Sequence, residues 1–152
     1  MYLELKENRP HGTKNFPFTQ YHICHVPHAF QFPIHWHDEL EIIYVRKAPL
    51  SIVIEGKEYT ADDQSIFLVN PGQLHLMGSN VLPVDYFTLL FPLEFISFQT
   101  DDAFEKELMA PLRNHNMLLE TEIPEGTALK SLIAIVLSAP PFLPATVILS
   151  IE

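Results

Sequence analysis

The chain of 152 residues lacks the features that mark several large classes of protein. It has one cysteine, Cys24, so no disulfide can form within it. No apolar run approaches the roughly 18 residues needed to span a bilayer. The N-terminus lacks the basic and then apolar layout of a signal peptide. We therefore expect a cytoplasmic protein with no membrane partner and with Cys24 buried in its core.

Basic residues are also scarce. Lys and Arg total 9 against 19 Asp and Glu, which gives a formal net charge of −10. Only Arg46 and Lys47 are adjacent, so the sequence shows no basic patch. Because DNA affinity comes mainly from cations that neutralise phosphates, we expect that this chain does not contact DNA itself.

The composition and the spacing of turn residues predict a mainly β protein. Hydrophobic residues make up 47% of the chain and aromatic residues 11%, values typical of a globular domain. Short apolar segments alternate with turns of Gly, Pro, Asn and Asp, a pattern typical of an antiparallel sandwich or barrel. The predicted strands are residues 19–26, 34–46, 50–54, 59–60, 65–69, 75–77 and 84–91.

The pattern changes after Pro92 to helical spacing. Residues 101–112 predict one helix, with Asp101 or Asp102 as its N-cap. Residues 125–138 predict a second, ended by a Pro-Pro pair. Its apolar stripe consists of Leu129, Leu132, Ile133 and Val136. We therefore divide the chain into an N-terminal arm (1–18), a β-barrel (19–91) and a helical segment (92–152) whose apolar tail reads as the start of a further element.

One segment carries the chemical information, and it reads His-Trp-His-Asp-Glu-Leu-Glu over residues 35–41. In a regular strand, alternation places His35, His37 and Glu41 on one face. His75 follows a Pro-Gly turn that can direct its ring to the same point. Two imidazoles and a carboxylate form half of a site for Zn²⁺, Ni²⁺ or Fe²⁺. The alternative is a polar cluster at the barrel mouth that hydrogen-bonds to itself or to a ligand.

These residues resemble the two motifs of the cupin superfamily, His-x-His-x-x-x-Glu and Gly-x-x-His. The words HWHDELEIIYV and GKEYTADDQSIFLVNPGQLH are similar to the N-terminal domain of AraC-type transcriptional regulators, over about residues 20–140. The resemblance implies a cupin double-stranded β-helix, a jelly-roll barrel, followed by two C-terminal α-helices that contribute to a homodimer. It also implies an arm near Phe16 and Phe18 that folds over the barrel mouth. DNA would be bound only by a C-terminal domain absent from this chain.

The function that we expect is sensing of a small-molecule effector, a sugar or similar metabolite, by a domain that is not an enzyme. The effector would contact the four residues above, together with Tyr44, Phe67 and Phe87, in an aromatic-lined pocket. The alternative is a metal-dependent cupin enzyme of the dioxygenase or isomerase type. Because their spacing of three is not that of a strand, His22, His25 and His28 are interpreted as surface or loop residues, and His11 and His115 carry no signal.

Overall fold

The computed structural model describes residues 2–24, 28–97, 102–138 and 146–149. These residues form nine strands: β1 (Thr19–Ile23), β2 (Phe30–His35), β3 (Leu40–Lys47), β4 (Leu50–Ile54), β5 (Lys57–Ala61), β6 (Ile66–Val69), β7 (His75–Ser79), β8 (Asp85–Phe91) and β9 (Thr146–Leu149). One sheet has the order β6-β3-β8-β1-β9, and the other has the order β2-β7-β4-β5. Strands β1 to β8 pair antiparallel, and β9 pairs parallel to β1. The predicted jelly-roll architecture is confirmed.

The main core fills the space between the two sheets, because alternate residues of each strand point inward. Ile43 and Val45 of β3 meet Leu50 and Ile52 of β4 there, and all four are fully buried. Full burial of one such side chain stabilises the fold by about 1.5–3 kcal/mol. Cys24 is buried, as expected from the sequence.

The helices cover the outer face of the five-stranded sheet. A π-helical segment, Glu105–Met109, continues into helix α1 (Ala110–Arg113), and helix α2 spans Ala128–Ser138. Asp102 caps the first helix by accepting a hydrogen bond from the Glu105 amide (2.9 Å). The other predicted cap, Asp101, lies outside the described residues. No helix among the described residues has both the length and the apolar character needed to cross a membrane.

The face of α2 that meets the sheet differs from the predicted stripe. Leu137 is 1% exposed and packs with Ile133 against the outer face of the sheet. By contrast, Leu129, Leu132 and Val136 are each more than half exposed. The sequence shows apolar residues around most of this helix, so their pattern does not identify the packed face.

The prediction of a single strand over residues 34–46 is wrong, because these residues belong to two strands that lie in different sheets. Strand β2 ends at His35 and β3 begins at Leu40. Between them, Trp36 pairs with the N-terminal arm and the His37 carbonyl accepts a hydrogen bond from the Gly72 amide (2.8 Å). Asp38 and Glu39 belong to residue types that are depleted in strands, so local propensity and these long-range contacts both favour the break.

The N-terminal arm, residues 2–18, lies against the barrel. Trp36 donates hydrogen bonds from its amide to Leu5 O (3.0 Å) and from Nε1 to Tyr2 O (2.7 Å). Further along the arm, the Phe16 and Phe18 rings pack together with centroids 4.3 Å apart. The arm contains a short 3₁₀ helix, Leu3–Leu5, and backbone hydrogen bonds between Thr13 and Phe16, and the contacts with Trp36 attach it to the barrel.

Candidate ligand and metal site

Four side chains converge where the two sheets meet, and we call them the histidine–glutamate cluster: His35, His37, Glu41 and His75. His35 and His75 are cross-strand partners on β2 and β7, whereas Glu41 lies on β3 of the other sheet. Glu41 Oε2 lies 3.2 Å from His75 Nε2 and 3.5 Å from His37 Nε2. One nitrogen from each histidine lies within 4.8 Å of the others. The structure thus brings together all four residues that the sequence predicts as metal ligands.

The three histidines share one orientation, because each ring places Nδ1 beside a backbone carbonyl. The distances are 2.9 Å for His35 to Pro33 O, 3.1 Å for His37 to Glu39 O and 2.9 Å for His75 to Gln73 O. A carbonyl only accepts, so in each neutral ring Nδ1 carries the proton and donates it. The lone pair then lies on Nε2, as in metal sites where a second hydrogen bond fixes the histidine tautomer.

The donor atoms of the cluster fit a divalent transition metal. His37 Nε2, Glu41 Oε2 and His75 Nε2 are buried, and none has a hydrogen-bond partner among the described residues. Buried polar atoms normally have hydrogen-bond partners, so these three atoms indicate a bound group that interacts with them. Two ligands about 2.1 Å from a tetrahedral metal lie about 3.4 Å apart, close to the 3.2 and 3.5 Å found here. The three histidines could therefore hold a metal, with Glu41 beside them.

The charges within the cluster are coupled. Burial would raise the pKa of Glu41, but His37 and His75 together hold that pKa well below its usual value. Burial would lower the pKa of His75, but Glu41 raises it overall. For His35, burial and the neighbouring His75 lower the pKa. Without a metal, the structure therefore favours an ionised Glu41 beside a protonated His75.

A cavity of about 80 Å³ opens beside the cluster, between the sheets. Its apolar wall includes Ile23, Phe32 and Leu90. Its polar wall includes cluster residues and Tyr86, whose hydroxyl is buried without a hydrogen-bond partner among the described residues. Burial raises the pKa of the Tyr86 phenol well above its ordinary value, so the hydroxyl keeps its proton. It is available as a donor to a molecule in the cavity.

The N-terminal arm closes one side of this cavity with Glu7, Arg9 and His11. Glu7 Oε2 lies 3.2 Å from His11 Nε2, and the contact with His11 lowers the pKa of Glu7. His11 Nδ1 lies 3.1 Å from the Tyr21 hydroxyl on β1. Sequence reasoning missed these residues, because the arm has no periodicity and its contacts with the barrel are long-range.

The structure does not bring the three predicted aromatic ligand residues to the cavity. Tyr44 and Phe87 lie on the outer face of the sheet, in the apolar cluster beneath α2. Phe67 is buried in the inter-sheet core, against Tyr59, but does not line the cavity. On β8 the inward residues are Tyr86, Thr88 and Leu90, which is the opposite face from the one predicted.

The other histidines are placed as follows. His22 lies in β1, with Nε2 2.9 Å from Asp85 Oδ1 and its ring stacked on Phe87, so its interpretation as a surface or loop residue is wrong. His28 and His115 are exposed, and His25 lies outside the described residues.

The geometry can be compared with known proteins. A family model described as AraC-like ligand binding domain matches residues 18–122. This match and the jelly-roll architecture agree with the cupin-type domain that the sequence resembles. No match was found among curated proteins.

Several solved structures are similar to part of the chain. A variant of salicylate 1,2-dioxygenase from Pseudoaminobacter salicylatoxidans is 13% identical, with a TM-score of 0.41, over 49% of this chain and 21% of that one. A cupin domain from Schizosaccharomyces pombe is 10% identical, with a TM-score of 0.40, over 45% and 53%. Oxalate decarboxylase from Bacillus subtilis is 18% identical, with a TM-score of 0.38, over 44% and 19%. The chain thus spans about a fifth to about half of the length of these proteins.

Proposed function

The chain belongs to the family of AraC-like ligand binding domains, and from this premise we propose that it is the effector-sensing and dimerisation domain of an AraC-type transcriptional regulator. The observation that carries the proposal is the cavity lined by both the histidine–glutamate cluster and the N-terminal arm. An occupant of this cavity contacts both the barrel and the arm. Its binding therefore favours one position of the arm over others, which is what a sensor requires.

The size of the cavity favours a small effector. A water-sized group needs about 10–15 Å³ of such space. A volume of about 80 Å³ therefore holds roughly five to eight non-hydrogen atoms while the arm stays in place. This favours a compound smaller than a hexose over the sugar-sized effector expected from the sequence.

The walls of the cavity favour an oxygen-bearing effector. The Tyr86 hydroxyl donates a hydrogen bond, and the apolar wall of Ile23, Phe32 and Leu90 accepts a short carbon chain. We propose that the histidine–glutamate cluster binds Zn²⁺, Ni²⁺ or Fe²⁺. Such a metal supplies a Lewis-acid position for an effector oxygen. A short hydroxy or oxo acid satisfies all three features.

We further propose that DNA contacts and dimer contacts lie away from the cavity. With a net charge of −10, this chain is unsuited to DNA, so DNA contact falls to a C-terminal domain outside these residues. The exposed side of α2, with Leu129, Leu132 and Val136, supports a role for this helix in a homodimer.

Thermal melting of the purified chain tests the sensor proposal. The compounds are short hydroxy and oxo acids, matched diols and hexoses, each with and without Zn²⁺. We expect the short acids to raise Tm, and Tyr86→Phe to weaken that effect. Tyr59→Phe is the matched control, since Tyr59 lies outside the cavity. A panel in which no compound changes Tm, with or without metal, would contradict the proposal.

A metal-dependent cupin enzyme is the second candidate, and the convergence of the cluster beside a cavity favours it. Turnover of a carbonyl compound or uptake of dioxygen by the metal-loaded chain would support this candidate. That turnover must disappear in His37→Ala, which removes one cluster imidazole. A chain that binds compounds without converting them supports the sensor.

A further inference from the structure

The turn between β6 and β7, residues 70–73, holds two histidines of the histidine–glutamate cluster. The Gln73 carbonyl accepts the hydrogen bond that fixes the His75 ring (2.9 Å). The Gly72 amide donates to the His37 carbonyl (2.8 Å). Gly72 has a φ of 79°, as the third position of a type II turn requires, so this turn has a defined shape. The relative positions of His37 and His75 therefore depend on where the turn is anchored.

Asn70 anchors this turn, and it is 2% exposed. Gln73 Oε1 accepts hydrogen bonds from the Asn70 amide (2.8 Å) and from Asn70 Nδ2 (3.1 Å). Asn70 Nδ2 also donates to Leu119 O (3.0 Å), and Asn70 Oδ1 accepts from the Leu119 amide (2.8 Å). Both donors of the side-chain amide are thus used, and its oxygen is used as well. The turn that positions the two histidines is therefore tied to a residue 49 positions further along the chain.

Leu119 belongs to the connection between α1 and α2. Its side chain packs against the apolar residues beneath α2 and against those beneath α1. The residues after it lie along strand β6, where the Leu68 amide donates to Thr121 O (2.7 Å) and the Ile123 amide donates to Ile66 O (3.0 Å). Through Asn70, the turn that holds the cluster is thus hydrogen-bonded to the segment that leads into α2.

Metal ligands tolerate little displacement, which gives Asn70 a role beyond folding. Residues that orient metal ligands commonly change metal affinity tenfold to about a hundredfold when they are replaced. Alanine at position 70 removes the three side-chain hydrogen bonds, whereas the backbone amide can still donate to Gln73. The turn then loses its attachment to residue 119, and the carbonyl that orients His75 loses its anchor.

We propose that Asn70 is a positioning residue of the metal site and that it couples the histidine–glutamate cluster to the segment before α2. The inference rests on the proposed metal site and adds a residue that binds neither metal nor effector. Coupling between two sites is reciprocal. If the contact with Leu119 strengthens metal binding, metal binding therefore strengthens the contact with Leu119 by the same factor. The state of the cluster is thereby transmitted to the helical segment.

Titration of the full chain with Co²⁺ tests the positioning role, since Co²⁺ accepts the same donors as Zn²⁺ and reports its ligands by visible absorption. The variants are Asn70→Ala and, as a matched control, Asn80→Ala, which replaces an exposed asparagine outside the cavity. We expect Asn70→Ala to weaken Co²⁺ binding at least about tenfold and to change the visible spectrum. Asn80→Ala should match the wild-type chain in both. Equal affinity and identical spectra in Asn70→Ala and wild type would overturn the role of Asn70 and leave the cluster as the metal site.

A second pair of variants covers the case in which Asn70→Ala does not fold. Gln73 contributes only the acceptor Oε1 to its contacts with Asn70, so the conservative variant Gln73→Glu retains this acceptor and Gln73→Met removes it. We expect Gln73→Glu to bind Co²⁺ at least as tightly as wild type with the same spectrum, and Gln73→Met to bind it more weakly with a changed spectrum. Equal affinities and spectra in the two variants would overturn the positioning role.

Hydrogen exchange of the Leu119 amide, which donates to Asn70 Oδ1, tests the coupling. We expect Co²⁺ to slow this exchange at least about tenfold in the wild-type chain and in Asn80→Ala, the factor that reciprocity requires, but not in Asn70→Ala. An unchanged Leu119 exchange rate in Co²⁺-loaded wild type would overturn the coupling to the helices. Absence of Co²⁺ binding to wild type would overturn both the inference and the metal site.

Discussion

Replacement of Glu41 by Gln separates a metal-binding role for this residue from a structural one. Glu41 is 4% exposed, and its Oε2 faces His37 Nε2 and His75 Nε2 without hydrogen-bond geometry. Gln has the same shape, and its amide can donate to either nitrogen. Without the carboxylate, burial dominates and the pKa of His75 falls, so His75 is neutral at about pH 7.5. No uncompensated charge then remains.

The expected magnitudes follow from these contacts. We expect the free energy of unfolding of metal-free Glu41→Gln to lie within about 1 kcal/mol of wild type, since neutral replacement of a buried ionic group is often tolerated. Metal at 100 times its Kd stabilises the wild-type chain by about 2.7 kcal/mol. For a chain of this length, that raises Tm by about 5–11 °C. If Glu41→Gln weakens the metal about 100-fold, the stabilisation at the same concentration drops to about 0.4 kcal/mol.

The assay is thermal and urea unfolding of wild type, Glu41→Gln and the control Glu58→Gln, an exposed residue of β5, with and without Zn²⁺. The control should behave as wild type in every condition. A metal-induced rise in Tm that is unchanged in Glu41→Gln would refute the ligand role. A loss of more than about 3 kcal/mol in the metal-free variant would show that the carboxylate is needed for folding.

Three further predictions concern pH, the cavity and the helix. In the metal-free chain, the Glu41–His75 pair should stabilise the fold fully between about pH 4.5 and 6.5. This contribution to the free energy of unfolding is lost as pH rises through the raised pKa of His75, and also as pH falls through the lowered pKa of Glu41. Urea titrations of wild type and Glu41→Gln across pH measure it. Tyr86→Phe should weaken binding of a short hydroxy acid about fivefold, the loss of one hydrogen bond, while calorimetry shows unchanged Zn²⁺ affinity; a change in Zn²⁺ affinity would contradict this. Leu137→Ala should cost about 2–5 kcal/mol in urea unfolding, because the side chain is 1% exposed between α2 and the sheet, and a cost below about 1 kcal/mol would show that α2 is not firmly packed.

Most strands could be predicted from the sequence, because local signals mark their ends. The hairpin between β4 and β5 is an example, since Glu55 and Gly56 both have positive φ (49° and 77°), as a tight two-residue turn requires. The convergence of the histidine–glutamate cluster was also predictable, because its spacing matches two motifs.

The features of the fold and the site that the sequence does not predict depend on contacts between distant residues. Strand β8 is buried on both faces, so alternation alone does not show that Tyr86 points inward and Phe87 outward. At the break after His35, Trp36 pairs with the arm, a contact that local sequence does not indicate. The role of His11 depends on Tyr21, ten residues away, and its sequence context carries no sign of this contact.

Anomalous diffraction at the zinc edge, from crystals of the chain grown with Zn²⁺, shows directly whether the histidine–glutamate cluster binds a metal. We expect one strong peak at the point where the Nε2 atoms of His35, His37 and His75 converge beside Glu41. A map with no peak there, or with zinc held only by surface residues, would contradict this expectation.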